Sequence, residues 1–208
     1  MTLQSDFGFY GILTNPIVGY EELAAIMVEH KVRFIQLRIK EKPTEEVLAI
    51  ARALRSIITG DSLFIVNDDP TIAVEARADG VHLGQDDMPY EEARAIVGPN
   101  AVIGLSSHNP EETRAACALS PDYIGVGPVF PTPTKKTPDP AIGIGGMKKM
   151  LELATVPAVV LGSIDHSNIE EILAGGAKNI SAVRCINQSR DPASDLEQMQ
   201  RAIEKHNA

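Results

Sequence analysis

The feature that most constrains this chain is a rhythm. Short apolar runs rich in β-branched residues alternate with amphipathic stretches from one end to the other, and eight such pairs can be traced. That alternation specifies βα units and a parallel sheet. Strands are expected at Phe9–Leu13, Phe34–Ile39, Leu63–Val66, Gly80–Leu83, Val102–Leu105, Tyr123–Val126, Ala158–Leu161 and Ile180–Val183. Several have no polar face, as strands buried on both sides require. Helices are expected to open near Tyr20, Thr44, Thr71, Tyr90, Pro110, Gly146, Ser167 and Pro192. Thr44 reads as an N-cap, and Asn109-Pro110 followed by Glu111 and Glu112 combines a cap, a first-turn proline and acidic residues at the positive helix end. Gly60, Gly98 and Gly175-Gly176 read as exits, where a left-handed residue is tolerated.

At 208 residues, with no Ser/Gly linker or shift in composition, the chain fits one domain at the short end of what eight units need. The expected fold is therefore α/β, a single (β/α)8 TIM barrel over residues 1–208. An open doubly wound sheet is the alternative, and even spacing without a glycine-rich dinucleotide fingerprint favours closure. A formal charge of -9 opposes a phosphate backbone, so no nucleic-acid partner is expected. That charge suits either an acidic, well-solvated surface or carboxylates gathered on a divalent metal. No run approaches the roughly 18 apolar residues of a membrane span, and Met1 to Phe9 has no signal-like pattern. The two cysteines, Cys117 and Cys185, lie far apart without metal-ligand spacing, which suits a reducing compartment. A cytoplasmic protein without a membrane partner is expected, with a homodimer through outer helices as the working assumption.

Polar residues fall immediately after the strands, on the barrel face where functional groups converge. Alternation points Gln36, Arg38 and Lys40 to one side. Two cations there call for an anion, unless they pair with acidic neighbours such as Glu41. Strand three ends in Asn67-Asp68-Asp69 and strand four in Gly84-Gln85-Asp86-Asp87. Carboxylates beside cations suggest phosphate and Mg²⁺, with Asp68 and Asp87 as ligands and Asp69 and Asp86 as helix caps. Ser106 offers a hydroxyl on the same rim, whereas His82 and His108 read as structural. The long irregular stretch from Pro128 to Ile144 brings Thr132, Thr134 and Lys135, a composition suited to oxyanion capture. Gly162-Ser163 and Arg184 follow strands seven and eight, the usual barrel phosphate site. Gly143-Ile144-Gly145-Gly146 is explained by the start of a helix.

Four ordered segments then carry a resemblance: Gln36 to Lys40, Phe64 to Asp69, Ala78 to Met88 and Asp122 to Lys135. Through them the chain, from Tyr10 to Ile186, resembles the thiamin phosphate synthase family, also called thiamin-phosphate pyrophosphorylase. The resemblance implies a Mg²⁺-assisted transferase that joins hydroxymethylpyrimidine diphosphate to a thiazole phosphate, in thiamin biosynthesis. Pyrophosphate leaves first and the thiazole nitrogen attacks the resulting cation. It implies Asp68 and Asp87 on the metal, and Arg38, Lys40, Asn67 and Lys135 on the pyrophosphate. Gln36 and Ser106 would face the pyrimidine, while Thr132, Thr134 and Gly162 would hold the thiazole phosphate. Arg38, Ser106 and Lys135 are the expected catalytic residues. Three positions depart from the family pattern: Asn15 for aspartate, Gly162-Ser163 for Gly-Gly, and Val183-Arg184-Cys185-Ile186 for a Val-x-Ser-Ala-Ile-like ending. Arg184 is expected either to contact the acceptor phosphate by charge or to mark a changed acceptor. The rival readings are a thiazole tautomerase and a noncatalytic phosphate-ligand barrel.

Overall fold

The computed structural model describes residues 5–132 and 139–207. Eight strands pair in parallel and in sequence order: β1 (Tyr10–Leu13), β2 (Phe34–Leu37), β3 (Leu63–Asn67), β4 (Gly80–Leu83), β5 (Val102–Ser107), β6 (Tyr123–Val126), β7 (Ala158–Leu161) and β8 (Asn179–Ser181). Around them run α1 (Tyr20–Glu29), α2 (Thr44–Ile57), α3 (Pro70–Glu75), α4 (Tyr90–Val97), α5 (Pro110–Ala118), α6 (Gly143–Leu153), α7 (Ile169–Ala174), α8 (Val183–Asn187) and α9 (Pro192–Asn207). The sheet closes into the expected barrel where Phe9 bridges Ile180 in parallel and the Ile180 amide donates to the Gly8 carbonyl at 2.9 Å.

Period-two alternation sorts the strand residues into two cores. Leu13, Ile35, Leu37, Phe64, Val66, Val81, Ile103 and Val126 pack outward with helix residues such as Leu23, Met27, Leu54 and Met147. Tyr10, Ile12, Phe34, Ile65, Tyr123 and Val159 fill the interior. Room for the large interior rings comes from glycine. A Cβ on Gly104 would lie 2.1 Å from Tyr123 Cζ, and one on Gly125 would meet the His82 ring at 3.6 Å.

The barrel's join is stitched by amide side chains as much as by backbone. Asn179 Oδ1 accepts from the amides of Phe7 and Gly8 at 2.7 and 3.0 Å, and its Nδ2 donates to the carbonyls of Ser5 and Ala158. Asn187, at the end of α8, accepts from the Thr14 amide at 2.8 Å and donates to the Ile12 carbonyl at 2.7 Å. Both side chains are almost fully buried.

Several boundaries differ from expectation. β2 stops at Leu37 rather than Ile39, although the Arg38 amide still donates to Leu13 O at 2.9 Å. β8 ends at Ser181, and Val183, expected as strand, opens α8, an element the sequence did not announce. The reason is tertiary: the Asn187 bonds draw this segment back toward β1. Thr44 is the first helical residue behind Pro43, not a cap. Asn109 caps α5 through the Glu112 amide, and Asp69 caps α3 through the amides of Thr71 and Ile72, both as expected. Asp86 does not: α4 starts after Pro89 without a side-chain cap.

Candidate active site

The C-terminal rim from β2 to β4 gathers the charged residues. Asp68 follows β3 with φ of 68°, a left-handed conformation uncommon for a residue with a Cβ. Its backbone is held in place because its amide donates to the His82 carbonyl at 2.8 Å. Lys40 donates to Asp68 Oδ2 in an ion pair. Asp87 Oδ2 accepts from the Gly84 amide at 2.6 Å, and Gly84 keeps the space clear for that carboxyl. The Asp68 and Asp87 carboxyls face one another within hydrogen-bonding reach. Burial and this neighbour raise the Asp68 pKa, and Lys40 opposes the rise. Burial likewise lowers the Arg38 pKa, and the charges of Asp68 and Asp87 counter it. Arg38 stays charged regardless.

The donor set fits a hard divalent cation. Two opposed carboxylates cannot both ionise comfortably without a positive charge between them. Mg²⁺ takes one or two carboxylates and completes its shell with water and phosphate oxygens. Beside them Asn67 Nδ2 is buried without a hydrogen-bond partner among the described residues. An orphaned donor of this kind is costly unless a ligand satisfies it.

Beneath the rim a buried chain of hydrogen bonds crosses the barrel. Gln36 Nε2 donates to Tyr10 Oη at 3.0 Å, Tyr10 Oη meets Tyr123 Oη at 2.6 Å, Tyr123 Oη meets His82 Nδ1 at 3.0 Å, and His82 Nε2 meets Ser106 Oγ at 2.9 Å. Burial is the main cause that lowers the His82 pKa to about 4, so the imidazole is neutral near pH 7. Burial also holds both tyrosines well above their ordinary range, so they stay protonated. With Gln36 donating at one end, one arrangement leaves neither buried tyrosine hydrogen unpaired. Tyr10 donates to Tyr123, Tyr123 to Nδ1, and the Nε2 proton to Ser106 Oγ. The Ser106 hydrogen is thereby left to point at the rim. His82, expected to be structural, is so, and it also sets the polarity of Ser106.

The rim above β7 and β8 is different. Gly162 has φ of 119°, and a Cβ there would lie 2.5 Å from Val129 N, so only glycine lets the β6 loop pass. That loop is tied down as the Phe130 amide donates to Gly162 O at 3.2 Å and Ser163 Oγ donates to Pro131 O at 2.7 Å. Ser163 and Arg184 line a cavity of about 260 Å³ with Ile164, Asp165, Cys185 and Gln188. The Cys185 thiol is pushed up to about 11, first by burial and then by Asp195 and Asp165, so it is no ready nucleophile. His108 bonds Glu112 at 2.9 Å and lies 3.3 Å from Asp139, a structural role as expected.

Of the expected site residues, then, Arg38, Lys40, Asp68 and Asp87 share one charged cluster with Asn67 beside it, and Gln36 and Ser106 share one hydrogen-bonded chain. Gly162 and Arg184 stand apart from both, at the β7–β8 end, and Thr132 lies in the loop that Gly162 admits. Thr134 and Lys135 fall outside the described residues. Tyr10 and Tyr123 were missed in the sequence. Part of their signal was present, as the inward-phase ring of Tyr123 facing the inward-phase Gly104.

These features coincide with a known family. The family described as thiamine monophosphate synthase matches residues 14–186. A thiamine-phosphate synthase of Gloeobacter violaceus is 43% identical over 87% of this chain, which covers only 53% of that relative's length. One from Archaeoglobus fulgidus is 42% identical over 83% of this chain and 81% of its own. Among solved structures, a thiamine phosphate pyrophosphorylase from Pyrococcus furiosus superposes with a TM-score of 0.88 at 32% identity, covering 97% of this chain and 98% of that one. A 3-hexulose-6-phosphate synthase, at 19% identity and a TM-score of 0.65, shares the fold.

Proposed function

The chain belongs to the thiamine monophosphate synthase family, and from that premise we propose that it is a transferase that joins hydroxymethylpyrimidine diphosphate to a thiazole phosphate and releases pyrophosphate. The observation that carries this reading is the β2–β4 rim. Arg38 and Lys40 bracket the opposed carboxyls of Asp68 and Asp87, next to the orphaned Asn67 amide. A diphosphate supplies the oxygens that two cations and a free amide need. Asp68 and Asp87 hold Mg²⁺, which when bound neutralises charge on the leaving pyrophosphate.

The remaining work falls to this chain's own side chains. Gln36 and Ser106 orient the pyrimidine from opposite ends of the hydrogen-bonded chain, with Ser106 presenting its hydrogen. Arg38, with five donors in a fixed fork, grips departing oxygens and strengthens its hold as their charge grows. Lys135, three positions after Thr132 in the sequence, adds a further cation. Thr132, Thr134, the Gly162 backbone and Arg184 receive the acceptor phosphate. Catalysis then rests on positioning and charge rather than on a nucleophile, consistent with pyrophosphate leaving before the thiazole nitrogen attacks. A tautomerase would instead need an acid/base residue. His82 is unsuited to that task, because both of its ring nitrogens are occupied and its pKa is lowered.

No helix among the described residues is long and apolar enough to cross a membrane. A cytoplasmic location and a homodimer are part of the same proposal. The decisive experiment measures pyrophosphate release with both substrates and Mg²⁺, against either substrate alone and against EDTA. Release that requires all three supports the reading. Release from the diphosphate alone, or none at all, overturns it.

A further inference from the structure

Away from the Asp68–Asp87 pair, three side chains of metal-ligating type converge from three separate elements. His166 lies in the β7–α7 loop, Cys185 in α8 and Asp195 in the first turn of α9. One ligand atom from each lies within 4.8 Å of the other two. Among the described residues this is the one such group of three His, Cys, Asp or Glu side chains. We propose that His166, Cys185 and Asp195 form a second metal site, for Zn²⁺ or a similar borderline-soft divalent ion, distinct from the Mg²⁺ site and bordering the cavity that Arg184 lines.

The geometry needs little adjustment. Tetrahedral zinc with bonds of about 2.0 to 2.3 Å places its ligand atoms about 3.3 to 3.7 Å apart. His166 Nε2 and Asp195 Oδ1 are 2.8 Å apart as they stand, so they would separate by a few tenths of an ångström while the sulfur closes in. Rotation of an exposed imidazole and a half-buried carboxylate can supply that movement. One nitrogen, one sulfur and one oxygen make a set that hard, six-coordinate Mg²⁺ disfavours and that zinc accepts, with a fourth position left for water. The exposure of His166 gives the ion a way in. No spacing in the sequence announces such a site, because the ligands come together only when α8 folds back and α9 docks beside it.

Co²⁺ is a suitable probe, since its absorption distinguishes thiolate ligation from oxygen ligation. Titrated into the full chain, it is expected to give a thiolate-to-metal charge-transfer band that saturates at about one equivalent and is displaced by Zn²⁺. Cys185→Ser should abolish the band. His166→Gln, an exposed change that leaves the barrel intact, should weaken binding by roughly 10- to 100-fold. Cys117→Ser and Asp87→Asn should both retain the band. Co²⁺ bound without a thiolate band, a band that survives Cys185→Ser, or a band lost in Cys117→Ser would each overturn the site, while none of these bears on pyrophosphate release.

Discussion

The two ends of the rim, each assigned a phosphate in the proposed function, are built by different means. From β2 to β4 charged side chains brace one another: Lys40 on Asp68, Asp68 against Asp87, and Arg38 in the field of both carboxylates. Above β7 and β8 the backbone does the shaping, with Gly162 admitting the β6 loop, Ser163 tying it, and Arg184 alone among the described lining residues bringing positive charge to the cavity. A braced cluster fails as a unit when one member is lost, because its neighbours are left as uncompensated charges. A backbone cradle loses only the contact removed. The donor end should therefore be brittle and the acceptor end tolerant.

Asp87→Asn should have the largest effect, with kcat falling roughly 10²- to 10³-fold. Asparagine can still accept from the Gly84 amide, so the melting temperature should hold and the loss should read as charge. Next is an acid effect from below the rim. The folded protein resists protonating His82, whose pKa is about 4, whereas the unfolded chain takes up a proton near 6.5. This contribution is intact above pH 6.5 and is lost as pH falls toward 4, on the order of 3 kcal/mol in total. Asp68, with its raised pKa, runs the other way, so the measurement is the difference between wild type and His82→Gln. The variant should show a flatter decline in denaturant stability across that window, and parallel curves would remove His82 as the cause.

Gly104→Ala tests whether the floor is packed as tightly as it reads. Its Cβ would meet the Tyr123 ring at 2.1 Å, and overpacking of this kind costs about 1 to 3 kcal/mol. An unchanged midpoint in urea would mean that the ring moves freely. The smallest effect is expected at the acceptor end. Arg184→Ala should raise the acceptor KM about tenfold, equivalent to about 1.4 kcal/mol, and leave the KM for the diphosphate unchanged. If Arg184→Ala were as damaging as Asp87→Asn, the contrast between the two ends would collapse.

The barrel and the donor end were largely legible from sequence because both are written in local pattern. Apolar alternation fixes which strand residues face inward, and polar residues just past Leu37, Val66 and Leu83 must then crowd one rim. What stayed hidden depends on contacts across the ring. Ile39 and Val183 have strand propensity, yet β2 ends where its partner β1 ends at Leu13, and Val183 is turned into a helix by bonds from Asn187 to a segment about 175 positions away. The gathering of His166, Cys185 and Asp195 is hidden for the same reason, and so is the route by which Gln36 communicates with Ser106. Each residue was visible, but their adjacency was not.

The join between β8 and β1 also bears on how the chain is made. β1 leaves the ribosome before the other seven strands, and its outer edge has no partner until Asn179 arrives, some 172 positions after Phe7. Closing so long a span adds little entropy beyond a shorter one, since that penalty grows only with the logarithm of length. The hazard is the wait, because a bare strand edge is a template for another nascent chain. Truncations that stop just before Asn179 should therefore sediment with aggregates even though seven of the eight strands are present.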